Sequence, residues 1–354
     1  MLARIDQLCA LAVQHGAEDI FLKAGEIPHF RELGKIRPLS EEPISSEELA
    51  LFWQACGGIP ESLHEHDASW QSSSGLRFRV NLHRQLGMLA AAMRPIKTQI
   101  PDLGSLGLPV ELLQDWGGRK GGIILVTGGT GSGKSTTIAA LLNWINHHQS
   151  KHIVTIEDPI EYLIQPSGCI VTQREVGTDT ESFASGLKAA LRQSPDVVLV
   201  GEIRDVETAR IAMQASETGH LVFATLHAAD VPETFERILA LFPESERNSA
   251  LMVLGSQLVG ALCQTLVPNT GNGLHLLTEH LEISGGVRRW LLKGDFGQIG
   301  EFMERESSLG TQRFIDSAIA SFKSGVISEE TARQACRNPN EFDQRQSGMR
   351  GGSR

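Results

Sequence analysis

Apolar positions at Ile5, Leu8, Ala12 and Val13 recur with helical spacing and predict an amphipathic helix that Gly16 ends. Strands are expected next, over Asp19–Lys23 and, as a hairpin, over His29–Ile36. Ser46–Cys56 reads as a helix opened by a serine cap. Leu76–Arg84 and Met88–Ile96, separated by Gln85-Leu86-Gly87, read as two paired strands. Residues 1–97 are therefore expected to form a small α+β domain. Pro101, Gly104, Gly107 and Pro109 punctuate the next stretch, so residues 98–109 read as a linker about which two domains hinge. From residue 110 to residue 337 the pattern changes. The apolar runs Ile123–Thr127, His152–Ile156, Val197–Val200 and Leu221–Leu226 alternate with helical segments, which implies a mostly parallel sheet covered on both faces. The fold class is α/β. Residues 338–354, rich in Gly, Ser, Gln and Arg, are expected to be a mobile tail.

Composition narrows the function. A chain of 354 residues with 41% hydrophobic residues suits two globular domains. Its net charge of −10 argues against wrapping nucleic acid and points to protein partners. Cys9, Cys56, Cys169, Cys263 and Cys336 are scattered without a C-x-x-C pair, as in a reducing cytosol, and suggest neither a disulfide frame nor a zinc site. Arg4, Asp6 and Gln7 interrupt the apolar residues of the first helix, unlike a signal peptide. No run approaches the roughly 18 apolar residues of a membrane span, so cytoplasmic residence is expected, with membrane contact through partners only.

The chemistry begins at Gly128-Gly129-Thr130-Gly131-Ser132-Gly133-Lys134-Ser135, set between an apolar strand and the helical run from Thr136. The spacing G-x-x-x-x-G-K-[ST] lets backbone N–H groups converge on phosphate oxygens at the positive end of a helix. ATP is the expected ligand: Gly128, Thr130, Gly131, Ser132, Gly133 and Thr136 would cradle it, Lys134 would reach the β and γ phosphates, and Ser135 would ligate Mg²⁺. Asp196–Gly201 carries an apolar strand to Glu202, a candidate for the metal side of the site. Glu157, Asp158 and Glu161 follow another apolar strand, a crowding of like charge that a cation and a water to be deprotonated would explain. Glu161 is assigned as general base, with Glu157 and Asp158 as supporting contacts. His220 and His227 flank Leu221–Leu226; by themselves they read either as satisfied structural histidines or as one that senses the γ phosphate and one that orients a neighbour.

The phosphate loop, the box Ile156–Glu161, Leu199-Val200-Gly201-Glu202-Ile203-Arg204-Asp205 and Thr218–His227 together resemble the secretion ATPase superfamily. Within it, Gln14–Leu22, Arg77–Asn81 and Gln173–Gly177 resemble the type IV pilus retraction ATPases, the PilT/PilU family, over roughly residues 5–340. The resemblance implies a RecA-like P-loop ATPase domain with an N-terminal PAS-like domain, in a homohexameric ring acting at the cytoplasmic face of the inner membrane. Its implied partners are the pilus platform protein and a paralogous retraction ATPase. By position it assigns Glu161 and Glu202 as catalytic carboxylates, His220 and His227 as the histidine box, and Arg79 and Arg94 as arginines reaching a neighbour's γ phosphate. Gly129 stands where many relatives have proline. Gly286–Gly294 occupies the place of the motif tied to retraction, and only Arg288 is kept there. Gly310–Asp316 and Asn338–Phe342 look more like the PilU branch, which implies an accessory motor.

Overall fold

A computed structural model describes residues 2–60, 62–308 and 310–346. Contacts divide the chain into two compact units. One holds the residues up to Thr98 together with Pro159–Leu163; the other holds Gln99–Asp158 and the chain from Ile164 onward. The chain therefore crosses between units after Thr98, after Asp158 and after Leu163.

The first unit is an antiparallel sheet with two helices. Its strands are β1 (Asp19–Lys23), β2 (His29–Glu32), β3 (Lys35–Pro38), β4 (Glu65–Gln71), β5 (Arg77–Gln85) and β6 (Met88–Pro95), in the order β3-β2-β1-β6-β5-β4. Period-2 alternation puts Phe78, Val80 and Leu82 of β5 into the core and leaves Arg79 and Asn81 exposed. Helices α1 (Ala3–Gln14) and α2 (Ser46–Ala55) belong to this unit. Ile5, Leu8, Leu49, Phe52 and Trp53 join the same core, and Trp53 Nε1 donates to the Ala90 carbonyl at 3.1 Å. The cap of α2 is Ser45, one residue before the expected start. Its hydroxyl accepts from Glu48 N at 3.1 Å, and Glu48 in return accepts from Ser45 N at 2.9 Å. That backbone hydrogen bond holds the Glu48 carboxyl below its ordinary range. Strand β4 has no counterpart in the sequence pattern because it lies at the sheet edge, where only Trp70 of its seven residues is buried.

The second unit contains an eight-stranded sheet of order β14-β13-β12-β7-β11-β10-β8-β9. The strands are β7 (Gly122–Gly128), β8 (His152–Glu157), β9 (Ile170–Glu175), β10 (Val197–Val200), β11 (Leu221–Leu226), β12 (Leu258–Pro268), β13 (Leu274–Glu282) and β14 (Thr311–Gln312). From β12 to β9 neighbouring strands are parallel, and β13 and β14 continue antiparallel. Every residue of β7, β10 and β11 is buried, which is why those segments read as unbroken apolar runs. The helices of this unit are α3 (Val110–Gly118), α4 (Lys134–His148), α5 (Phe183–Ala190), α6 (Val206–Glu217), α7 (Val231–Ala240), α8 (Glu244–Gln257), α9 (Gly285–Lys293), α10 (Phe296–Arg305), α11 (Phe314–Lys323), α12 (Glu329–Ala335) and α13 (Pro339–Gln346).

Two stretches differ from expectation. The supposed linker is packed: Leu103 and Leu108 are buried in one cluster with Trp116, Leu141 and Ile145, and a 3-10 turn over Leu103–Leu106 is capped by Asp102. Its prolines and glycines interrupt regular structure, but its leucines still seek a core. The supposed tail begins with α13, whose Phe342 is fully buried against Phe322 and whose Glu341 pairs with Arg313 at 2.8 Å. One aromatic side chain outweighs a polar composition there; residues 347–354 lie outside the described residues. Glu279 of β13 is buried between two helix starts, accepting from Val231 N at 2.8 Å and Phe314 N at 3.2 Å. Burial pushes its carboxyl up to about 6.

Candidate functional site

Parallel register fixes where the chemistry collects. Leu226 of β11 lies beside Thr127 of β7, Ala224 beside Val200 of β10, and Val200 beside Ile156 of β8. The carboxyl ends of four central strands thus release the phosphate loop, Glu157 and Asp158, Gly201 and Glu202, and His227 along one edge. Ligands of open parallel sheets bind at that edge.

The loop from Gly128 to Gly133 turns through left-handed backbone at Gly131 (φ 75°) and Gly133 (φ 91°). Gly128 is required for a second reason: a Cβ there would sit 2.5 Å from Ser132 Oγ and closer still to the Gln264 carbonyl oxygen. Helix α4 follows without a side-chain cap, so the backbone amides of its first turn have no capping oxygen from the N-cap residue. Lys134 Nζ folds back to donate to the carbonyls of Gly128 at 2.9 Å and Gly129 at 2.8 Å. Ser132 Oγ is buried with no hydrogen-bond partner among the described residues, and so is Gln264 Oε1, whose amide nitrogen donates to Thr137 Oγ1 at 2.8 Å. A glycine cradle that a methyl group would fill, an uncapped helix start and an orphaned hydroxyl fit a polyphosphate. Thr130, Ser135 and Thr136 belong to the same loop and helix turn.

Glu202 is held from both sides. Arg204 Nε lies 2.7 Å from its Oε2, and His227 Nε2 lies 3.2 Å from its Oε1. Arg204 Nη1 reaches on to Asp158 Oδ2 at 3.3 Å, and its guanidinium lies 5.9 Å from the centre of the Phe183 ring. The hydrogen bond to Glu202 raises the Arg204 pKa. The turn beneath needs Gly201, where a Cβ would stand 2.9 Å from the Ile156 carbonyl oxygen. Thr225 Oγ1 donates to the Gly201 carbonyl and ties that turn to β11. Glu157 Oε1 accepts from Thr155 Oγ1 at 2.6 Å and from Gln173 Nε2 at 3.2 Å. Among the described residues no group of three or more His, Cys, Asp or Glu is placed to hold a metal ion.

His220 is a correction. It precedes β11 at the amino edge, where its carbonyl accepts from Gly122 N at 3.1 Å and its Nδ1 lies 2.9 Å from the Ala215 carbonyl oxygen. Six strand residues separate it from His227, about 23 Å of rise, which sets it at the edge opposite the phosphate loop of its own chain. Glu161 lies in Pro159–Leu163, grouped with the first unit, and its carbonyl accepts from Lys97 N at 3.2 Å.

In the first unit Arg79 and Arg94 are direct cross-strand partners of β5 and β6, both exposed. Like charges in that register repel, and Asp19 of β1 offsets the repulsion. Its Oδ1 pairs with Arg94 at 2.7 Å and its Oδ2 with Arg31 at 3.1 Å. Sequence reasoning missed Asp19, Gln173, Arg204 and Thr225 as members of these constellations. Arg204 alone carried a signal, standing two residues after Glu202.

A glycine-rich loop between a central parallel strand and a helix, with carboxylates at the adjoining strand ends, defines a P-loop nucleoside triphosphatase. The chain belongs to the type II/IV secretion system protein family, whose model matches residues 83–284, and it is an ATPase of that family. It is 35% identical over 343 residues to the type IV pilus retraction ATPase PilT of Pseudomonas aeruginosa, covering 96% of this chain and 99% of the relative. It is 37% identical over 333 residues to the type IV pilus ATPase PilU of the same organism, covering 92% and 87%. A crystal structure of the pilus retraction motor PilT with bound ADP matches 96% of this chain and 99% of its own, with a TM-score of 0.87 and 39% identity.

Proposed function

We propose that this chain is a motor that converts ATP hydrolysis into retraction of a type IV pilus. The observation that carries the reading is the convergence of the phosphate loop, Glu157, Asp158, Glu202 and His227 on one sheet edge, in a chain similar to PilT along nearly its whole length. ATP would lie with its phosphates on the loop amides and Lys134. Mg²⁺, held by Ser135 and the phosphates with Glu202 at the metal side, would neutralise charge on the β and γ oxygens. Glu161 would take a proton from the attacking water as its oxygen bonds to the γ phosphorus and the bond to the bridging oxygen of ADP breaks. His227 would orient Glu202. Arg79 and Arg94 would reach the γ phosphate of a neighbouring subunit in a homohexamer at the inner-membrane platform.

Nucleotide binding would favour a closed arrangement of the two units, and hydrolysis would release it. Driving a subunit from 1:99 to 99:1 requires a preference of roughly 5.5 kcal/mol, within reach of phosphate contacts made from two domains. With Leu103 and Leu108 packed in a core cluster, the hinge would lie at the crossings after Thr98, Asp158 and Leu163. An accessory, PilU-like role rests on the likeness of Gly310–Asp316 and Asn338–Phe342 to that branch, and α9 departs from the retraction motif. Of the family's retraction motif it keeps Arg288, which donates to the Gly255 carbonyl at 2.5 Å and the Ser256 carbonyl at 2.8 Å and so straps α9 to α8. The five cysteines are single, buried thiols, unlike the tetracysteine zinc insertion common in assembly and secretion ATPases. Deleting the gene and scoring surface pili and twitching tests the output: hyperpiliated, non-motile cells support retraction, and loss of pili supports assembly. Lys134→Ala should abolish nucleotide binding in a fluorescent-ADP titration; unchanged affinity would remove the loop from the mechanism.

A further inference from the structure

We propose that Arg204 is a positioning residue for hydrolysis, bridging Glu202 to Asp158 at the point where the chain leaves the nucleotide-binding unit. The bridge is made by two different nitrogens, Nε to Glu202 at 2.7 Å and Nη1 to Asp158 at 3.3 Å. A planar, forked cation reaches the two carboxylates from separate nitrogens, whereas an ammonium has one nitrogen to share between them. The backbone around Arg204 is fixed on each side. Ile203 N donates to the Thr225 carbonyl at 2.9 Å, and Asp205 caps α6 through Thr208 N at 2.8 Å. The guanidinium is therefore delivered from a rigid turn rather than from a loose loop. Stability does not explain it, since the Arg204 side chain is 55% exposed and exposed pairs contribute little to folding.

Its position gives it a different task. Asp158 is the last residue of the nucleotide-binding unit before Pro159–Leu163, which carries Glu161 and groups with the first unit. Arg204 thus connects the carboxylate at the metal side to the hinge crossing that carries the general base. Movement of that crossing is transmitted to Glu202 through one side chain, and Glu202 is aligned only when Asp158 is in place. His227 holds the other carboxylate oxygen, so Arg204 sets rotation about a fixed second point.

The inference rests on Glu202 facing the phosphates, and the test separates the two ideas. ATPase rates and fluorescent-ADP affinity would be measured on the full chain for Arg204→Gln, Arg204→Lys, Asp158→Asn, the double variant Arg204→Gln/Asp158→Asn and Glu202→Gln. Arg204→Gln is expected to lower kcat about 10²-fold, the scale of a misplaced catalytic group, with ADP affinity within about threefold of the parent. Asp158→Asn should act alike, and the double variant should lie within about threefold of the worse single change, because both break one bridge. Arg204→Lys keeps the charge but not the fork and should recover less than about tenfold. Multiplicative losses in the double variant, or affinity falling in step with kcat, would overturn the proposal. So would near-parent turnover in Arg204→Gln beside an impaired Glu202→Gln. Full turnover in Glu202→Gln would instead remove the role of Glu202 on which the proposal stands. If Arg204→Gln fails to fold, Arg204→Lys and Asp158→Asn decide the matter.

Discussion

The two units place function differently on their sheets. In the nucleotide-binding unit the central strands are buried along their whole length, so nothing polar can project from their middles, and chemistry is confined to their ends. In the first unit one face of an antiparallel sheet is exposed, and Arg31, Asp19, Arg94 and Arg79 form a cross-strand row over four adjacent strands, β2, β1, β6 and β5. Strand ends are released to loops that a nucleotide can open and close. A row of residues within paired strands is held by the ladder and presents a fixed pattern of charge. The proposed mechanism asks different things of the two: a site that binds, and a surface that reaches toward a phosphate held elsewhere.

Arg94→Ala tests the rigid row most severely. If Arg94 stabilises a terminal phosphate, kcat should fall about 10³-fold or more while the fold survives, because the side chain is 69% exposed. A loss under about tenfold would reduce the row to surface charge. Glu161→Gln probes the proposed general base and should slow turnover roughly 10²- to 10⁴-fold in single-turnover assays while ATP still binds. Undiminished hydrolysis would put the base elsewhere.

Two smaller effects sharpen the contrast in stability. Glu279 is 7% exposed and its carboxyl is raised from 4.5 to about 6, so the folded state holds that proton more tightly than the unfolded one. Its stabilising contribution is therefore full below about pH 4.5 and is lost as pH rises through about 6, a change of about 2 kcal/mol. Urea denaturation of the parent and of Glu279→Gln at pH 4.5 and pH 7 should show the difference between them changing by that amount; a constant difference would contradict it. Ser45→Ala, which breaks the capping box of α2, should destabilise the first unit by about 1 kcal/mol and leave ADP affinity in the second unchanged.

What the sequence determined by itself was local or strongly patterned. The phosphate loop is contiguous, its glycines answer to backbone geometry, and the buried parallel strands announce themselves as apolar runs, so the α/β class and the elements of the loop were legible directly. Facing strands over Leu76–Arg84 and Met88–Ile96 were legible because alternation survives on a sheet with one wet face. Edge strand β4 was not, because an edge buries too little to leave a period. Tertiary structure decided the rest. His220 and His227 look equivalent in sequence, yet parallel pairing sends them to opposite edges of the sheet. Residues 98–109 and 339–346 read as loose, yet Leu103, Leu108 and Phe342 find cores that composition cannot foresee. Arg204 joins Glu202 and Asp158 across 46 positions of chain, a meeting that results from two strands lying side by side. Hydrophobic periodicity is a property of a segment, whereas which charges meet depends on how segments are ordered in space.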